Sequence, residues 1–254
     1  MRFVVAVKQV PDTTLIKVDE NGSLIRQGVP AILDPYAEHA LETALAVKRP
    51  GDIITVVTMG PPQAAETLRR CLEIGADEAF LLSDQAFAGA DVHATARTLA
   101  VFVKRFAPDA GLVLCGKQAA DGDTGEVPAE LAAQLQVPQF CYVTELSRAD
   151  SGFTVVQDYG DEIRTCRVPA VAVLSVAEGD LNRRLPSIQR FLDAQKIPIT
   201  TLGRVDLMLG TFSVGLRGSR TKIVSTQTVR TERTGRVTDG TDPVKAALFL
   251  KEVL

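Results

Sequence analysis

The sequence predicts an open, mostly parallel α/β sheet with helices on both faces, antiparallel strands at one edge and a C-terminal arm. Three observations carry this. Up to Gln136, short apolar runs alternate with amphipathic helical stretches, the order that builds parallel strands joined by crossover helices. Between Phe140 and Val168 the pattern turns to period-two alternation, broken by Asp150-Ser151-Gly152 and Tyr159-Gly160-Asp161, as in antiparallel strands. From Ile197 onward Pro, Thr and Gly are frequent and no period holds, which is unusual inside a compact domain and points to an arm ordered by a partner.

The elements follow in order. Arg2 to Lys8 is a strand with Phe3, Val4, Val5 and Val7 as its apolar residues. Leu15 to Arg26 is an excursion with Asn21-Gly22 as a hairpin turn. Asp34-Pro35 starts a helix, with Asp as the cap and Pro in the first turn, where its missing N–H costs nothing. Ala37, Ala40, Leu41, Ala44 and Leu45 then share one face. Asp52 to Met59 is the second core strand, and Gly60-Pro61-Pro62 turns into a helix ending at Gly75. Ala79 to Leu82 is a third strand. Asp91 to Phe106 is an amphipathic helix. His39 and His93 are expected on solvated helix surface. Pro169 to Val176 is a buried strand, and Gly179 to Lys196 carries Arg183-Arg184, Leu185-Pro186 and an amphipathic helix. The basic residues Arg217, Arg220, Lys222, Arg230, Arg233 and Arg236 follow in the irregular stretch, before a short helix from Asp242-Pro243 to Leu254.

Composition removes several function classes. With 254 residues the chain forms one large α/β domain, or a domain plus an extension. A net charge of -3 gives no reason to expect nucleic acid or an anionic membrane. No apolar run approaches a membrane span, and the chain enters a strand at once, so no signal peptide is expected. Cys71, Cys115, Cys141 and Cys166 are scattered without metal-ligand spacing. They read as reduced, buried and structural, in a cytoplasmic setting.

The stretch from Ala110 to Leu135 organises the rest. Leu112 to Cys115 is a strand buried on both faces. Gly116 ends it, a small polar loop runs from Lys117 to Gly125, and a helix follows with Ala129, Ala132, Ala133 and Leu135 inward. Thr124 or Asp123 is expected to cap that helix. A strand–loop–helix turn of this build gathers backbone N–H groups and the positive helix end, which is where α/β proteins hold phosphate; a plain turn is the alternative. Gly111 to Lys117 also reads G-x-x-x-x-G-K, but its four middle residues are the strand. Gln118 stands where a Mg²⁺-binding hydroxyl is needed, so it is not an NTPase loop.

Six ordered segments then resemble the β subunit of electron transfer flavoproteins. They are the start at VAVKQVPD, Leu33 to Glu38, Met59 to Asp77, Cys115 to Leu131, Gly160 to Ser175 and Leu185 to Lys196. The resemblance covers essentially the whole chain and implies a Rossmann-like sheet. It implies a heterodimer whose α subunit carries FAD, and a second adenine nucleotide in the β subunit. That nucleotide is AMP in ordinary members, and in the electron-bifurcating type FAD that takes hydride from NADH. Asp121 to Pro128, DGDTGEVP, agrees with the bifurcating loop D-G-D-T-A-Q-V-G-P at Asp121, Gly122, Asp123, Thr124 and Val127, but has Gly125 and Glu126 for Ala and Gln and lacks the Gly before Pro.

The expected roles follow from the resemblance. Ala6, Lys8, Asp34 and Met59 border the adenosine. Gly116, Asp121, Gly122, Asp123, Thr124, Gly125 and Val127 hold the phosphates, with the two carboxylates on ribose or loop N–H groups. Leu185 is an anchor for acyl-CoA-type or other dehydrogenases. Residues 1–196 form the nucleotide-binding domain and 197–254 the arm around the α subunit. Flavin would supply the reactivity, which suits a chain without a catalytic triad or metal cluster. A stand-alone adenine-nucleotide-binding protein and an oxidoreductase acting alone are the rival classes.

Overall fold

The computed structural model describes residues 1–12, 17–18, 24–25, 30–150, 152–179, 183–222, 224–225, 238 and 240–253. The chain opens with β1 (Arg2–Ala6) and β2 (Gln9–Pro11), then β3 (Lys17–Val18), β4 (Leu24–Ile25) and β5 (Ala31–Leu33). β3 and β4 pair antiparallel as the hairpin pattern predicts; the Asn21-Gly22 turn lies outside the described residues. Next come α1 (Pro35–Val47), β6 (Ile53–Met59), α2 (Ala65–Ile74), β7 (Glu78–Leu82), α3 (Val92–Phe106), β8 (Ala110–Gly116) and α4 (Val127–Leu135). They are followed by β9 (Gln139–Ala149), β10 (Gly152–Asp158), β11 (Ile163–Val168), β12 (Ala172–Val176), α5 (Ile188–Lys196), β13 (Ile199–Leu202), α6 (Gly215–Gly218) and α7 (Pro243–Val253).

The main sheet has the order β11-β10-β9-β12-β8-β1-β6-β7-β13. The chain builds outward from β1 through β6 to β7, then returns across β1 to place β8 on its other side. The strand order therefore reverses between β1 and β8, and in open parallel sheets the crevice at such a point is the ligand side. Both partners of β1 are parallel: Ala6 stands opposite Val57 of β6 and Cys115 of β8. Burial explains why these strands read as continuous apolar runs. Phe3, Val5, Ile54, Leu112 and Leu114 face the side covered by α1 and α2, and Val4, Val57, Val113 and Cys115 face α3 and α4.

β9 joins two kinds of sheet. Its first residues pair in parallel with β12, Gln139 opposite Val173 and Phe140 opposite Leu174, and its later ones pair antiparallel with β10. Tyr142 has φ of 52° at the changeover. Beyond it Arg148 reaches Asp52 and the Val47 carbonyl, so the strand turns back toward the start of β6.

The irregular stretch begins later than the sequence predicts. Ile199–Leu202 forms β13, parallel to β7 at the far edge, and Leu207, Leu209 and Val214 are buried on the α3 side. The chain divides into two compact units, 1–222 and 223–254. In the second unit Asp242 accepts from the Val244 amide at 3.0 Å and starts α7, and among the described residues Val244, Leu248 and Leu250 are exposed. No helix among the described residues is long and apolar enough to cross a membrane.

Candidate functional site

The crevice is built from the exits of β1, β6 and β8. Ala6, Met59 and Val127 are partly buried against one apolar cluster beneath it. On the β1 side the Lys8 carbonyl accepts from the Asp34 amide at 2.9 Å, which brings the start of α1 against the strand end. On the β8 side the Lys117 amide donates to the Val176 carbonyl at 2.7 Å, and the loop then crosses the crevice.

Asp34 fixes that loop. Its Oδ1 accepts from the amides of Tyr36 and Ala37 at 2.9 and 3.2 Å, the N-cap read from the sequence. Its Oδ2 accepts from the Ala120 amide at 2.7 Å. The side chain is buried, and all three partners are backbone, so Asp34 holds the loop against α1 rather than lying open at the crevice. Gly116 is required for the same reason. A Cβ there would stand 2.7 Å from the Tyr36 backbone carbonyl carbon and 2.9 Å from the Ala37 amide nitrogen. Tyr36 itself was not singled out as a site residue. Its ring lies 5.1 Å from Lys117 Nζ, and its hydroxyl accepts from Gln118 at 3.4 Å. An aromatic residue directly after a helix-starting proline was the signal.

Within the loop the amides of Gly122 and Asp123 turn inward to the Ala119 carbonyl, at 3.3 and 2.9 Å. Asp123 and Gly125 then take φ of 54° and 67°. These turns end the loop before the helix begins, and they overturn the expected cap. Glu126, not Thr124 or Asp123, occupies the N-cap position of α4, and no side chain caps the helix. Asp123 is spent on the turn, three residues too early for its oxygen to sit at the cap. Pro128 has no N–H and the Glu130 amide bonds the Glu126 carbonyl, so the Val127 and Ala129 amides of the first turn of α4 are left for another acceptor, and the residues from Asp121 to Thr124 are exposed.

Charge at the crevice is balanced. Lys8 Nζ pairs with Asp121 Oδ1 at 2.5 Å, joining the β1 exit to the loop. Gly122 lies beside them, its nearest neighbour being that ammonium at 4.0 Å from where a Cβ would stand. Lys8, Asp121, Gly122, Gly125, Thr124 and Val127 are thus brought to one loop and strand end.

Other expectations are corrected. His93 is not free on the surface; its Nδ1 lies 2.6 Å from Glu130 Oε1 in the first turn of α4. That bond, then the one from Gln134, holds the Glu130 carboxyl below its usual range. Cys71 and Cys115 are buried, and burial pushes the Cys115 thiol up to about 12; Cys141 and Cys166 are only half-buried. All four are free.

Leu185 is 87% exposed, with Ile188 at 82% and Leu192 at 51%. The positive charge expected beside it is already paired: Arg183 with Glu38 at 3.3 Å and Arg184 with Glu42 at 3.0 Å, both on α1. The helix behind it is locked by two reciprocal arginines. Arg190 of α5 donates to the Leu72 and Ala76 carbonyls at the end of α2, and Arg69 of α2 donates to the Ala194 and Ile197 carbonyls at the end of α5. Each guanidinium thus donates to carbonyls at the C-terminal end of the other helix.

The electron transfer flavoprotein domain matches residues 21–201. The chain is 42% identical to subunit CarD of a caffeyl-CoA reductase–Etf complex of Acetobacterium woodii, over 88% of this chain and 86% of that protein. It is 42% identical to the electron transfer flavoprotein subunit beta of Thermoanaerobacterium thermosaccharolyticum, over 94% and 93%. It is 35% identical to protein FixA of Azorhizobium caulinodans, over 100% and 94%.

Proposed function

The chain belongs to the electron transfer flavoprotein family, among its β subunits, and on that premise we propose that it works beside an α subunit with FAD in its own crevice, reducible by NADH. The observation that carries the site is the uncapped start of α4 behind an exposed, glycine-containing loop at the reversal of strand order. Backbone donors and a helix dipole there suit phosphate oxygens. The DGDT sequence of the loop supports FAD over AMP, as does the open space beside Gly122.

When bound, flavin supplies the redox reactivity. The residues of the chain hold and orient it. The Val127 and Ala129 amides in the first turn of α4 would receive phosphate oxygen, with Thr124 adding a hydroxyl donor. Lys8 and Lys117 flank the loop with positive charge, and Asp34 keeps the loop at a fixed distance from α1. Ala6 and Met59 form an apolar floor at the strand ends, where an adenine ring would lie. No proton transfer by a side chain is required.

Leu185 fits the role of anchor toward a dehydrogenase. It offers an apolar side chain in the segment just before a helix fixed from behind, with its neighbouring charges paired, so docking there is apolar rather than salt-dependent. Replacing Leu185 by Ala slows transfer with the partner dehydrogenase while nucleotide content and melting stay unchanged. A lower melting temperature with unchanged transfer contradicts the anchor. The unit after Lys222, with the uncovered face of α7, supports a clasp on the α subunit. The four free cysteines support a cytoplasmic setting.

Acid extraction of the purified heterodimer tests the occupant. The proposal expects two FAD per heterodimer and bleaching by NADH. One FAD and one AMP, with no reaction toward NADH, replaces it with an ordinary electron carrier. A stable colourless monomer that binds adenine nucleotide without a partner defeats both.

A further inference from the structure

Asp91 stands at the start of α3, and the N-cap accounts for only one of its oxygens. Oδ1 accepts from the Ala94 amide at 2.9 Å. Oδ2 accepts from the Arg220 amide at 2.7 Å, the Thr221 amide at 2.8 Å and the Thr221 hydroxyl at 2.9 Å. The backbone takes part too: the Asp91 amide donates to Ser219 Oγ at 2.9 Å, and that hydroxyl reaches the Gly215 carbonyl at 2.9 Å. One turn earlier the Leu216 amide donates to the Ala88 carbonyl at 2.9 Å. Gly215, at φ of 55°, fits so closely against this segment that a Cβ would stand 2.0 Å from the Ala86 carbonyl oxygen.

These bonds gather at one place. Residues 215–221 are fastened to residues 86–91, and the compact unit ends at Lys222, one residue beyond the last of them. A helix cap needs one oxygen. The second oxygen, with three donors more than a hundred positions away in sequence, has no role in starting α3. Burial works against the charge of this carboxylate, but the Ala94 and Thr221 amides, the Thr221 hydroxyl and the Arg220 amide outweigh it and bring the carboxyl down to about 2. The acceptor is ionised throughout the physiological range, so the fastening does not come and go with pH.

We propose that Asp91 is a positioning residue, whose second oxygen fixes residues 219–221 as the base from which the C-terminal segment departs toward the α subunit. The involvement of an α subunit rests on the function proposed above; the fastening itself does not. A tethered segment searches less space before it docks, so a fixed base lowers the ordering cost of association. The same base lies near the first turn of α4, because Arg220 also attracts Glu130, the partner of His93. The departure point is thereby held beside the helix that follows the loop.

Replacing Asp91 by Ser separates the two roles. Serine is as good an N-cap as aspartate, so α3 keeps its start, but one hydroxyl cannot also serve residues 220 and 221. Trypsin acts on the full-length chain at Arg220 and Lys222, and cleavage there reports local opening. The expected result for D91S is cleavage at these two sites faster by roughly tenfold, with other sites and the melting temperature unchanged. In the purified heterodimer the variant's α subunit dissociates faster while nucleotide content stays the same. Unchanged cleavage at Arg220 and Lys222 overturns the fastening. So does faster cleavage at every site with a lower melting temperature, which is what loss of a mere cap gives. Faster local cleavage with an unchanged dissociation rate overturns the role toward the partner. A wild-type chain that forms no heterodimer defeats the proposed function and leaves the cleavage experiment on the single chain intact.

Discussion

Two helices begin at the same end of the sheet, on either side of the reversal in strand order, and they begin in opposite ways. The start of α1 is closed: Asp34 satisfies its amides, lies buried, and reaches across to the Ala120 amide. The start of α4 is open: Glu126 stands at the cap position without a side-chain bond, behind an exposed loop. Both ends carry the same partial positive charge, so the dipole alone does not choose between them. The choice is made by which end already has its acceptor. The closed end has also become the support of the open one, since one carboxylate caps α1 and holds the loop that precedes α4.

Breaking the closed end has the largest effect. Replacing Asp34 by Ala removes the cap and leaves three backbone N–H groups without their acceptor, that of Ala37 in a buried place. A lost cap costs about 1 kcal/mol, and each buried unpaired group adds roughly 1–3 kcal/mol where water cannot reach it. The variant is expected to melt several degrees lower and to lose nucleotide. Asp34→Asn keeps one carbonyl oxygen and restores stability in part. Wild-type melting in Asp34→Ala would mean that α1 does not depend on this cap.

The next effect is steric. Gly116→Ala puts a methyl group 2.7 Å from the Tyr36 backbone at the point where α1 crosses the end of β8. Backbone cannot swing aside as a long side chain does, so the cost is about 1–3 kcal/mol. The loop leaving Gly116 is displaced with it, and nucleotide affinity falls together with stability. Unchanged denaturant unfolding would show that α1 and β8 have room to separate.

How much of this was legible in the sequence depends on where each residue's partners lie. The parallel strands were readable because burial on both faces leaves them nothing but apolar side chains, as in Phe3 to Val5 and Leu112 to Cys115. Asp34-Pro35 was readable because a cap and its helix are neighbours in sequence. β13 was missed because it is a four-residue edge strand whose two threonines are exposed, so Ile199–Leu202 carries no apolar run. The cap of α4 was misread because composition shows that Thr124 and Asp123 are able to cap, whereas the turn at Asp123 and Gly125 decides that they do not. The tie from Asp34 to Ala120 spans 86 positions, and no local pattern announces it. His93 reads as solvated because its partner Glu130, 37 positions away, is likewise outside any local pattern.

At the open end the effects are on binding, not on folding. Thr124 is exposed, so Thr124→Val leaves stability near wild type. If its hydroxyl donates to a charged phosphate oxygen, the loss is about 1 kcal/mol or slightly more, roughly fivefold to tenfold in nucleotide affinity by equilibrium titration. The α-subunit flavin is spared. Equal affinity in both proteins would remove Thr124 from the set of donors.

The smallest effect on folding, and the sharpest on meaning, comes from the pair that closes the crevice. Lys8 and Asp121 are 49% and 33% exposed, so their bond contributes about 0–1 kcal/mol to stability. Lys8→Met is therefore expected to melt as wild type does, yet to bind nucleotide less tightly and with a weaker dependence on salt, because one cation near the phosphate is gone. Asp121→Asn leaves Lys8 in place without its competitor. If Asp121 serves to hold Lys8 back from the anion, this variant binds nucleotide more tightly, by about fivefold for ~1 kcal/mol. If instead the carboxylate accepts a ribose hydroxyl, as the family resemblance implies, the same variant binds less tightly, and adenine binds both proteins alike while adenosine distinguishes them. Titrating adenine, adenosine and AMP against the two variants thus separates a charge that restrains Lys8 from a charge that reads the sugar.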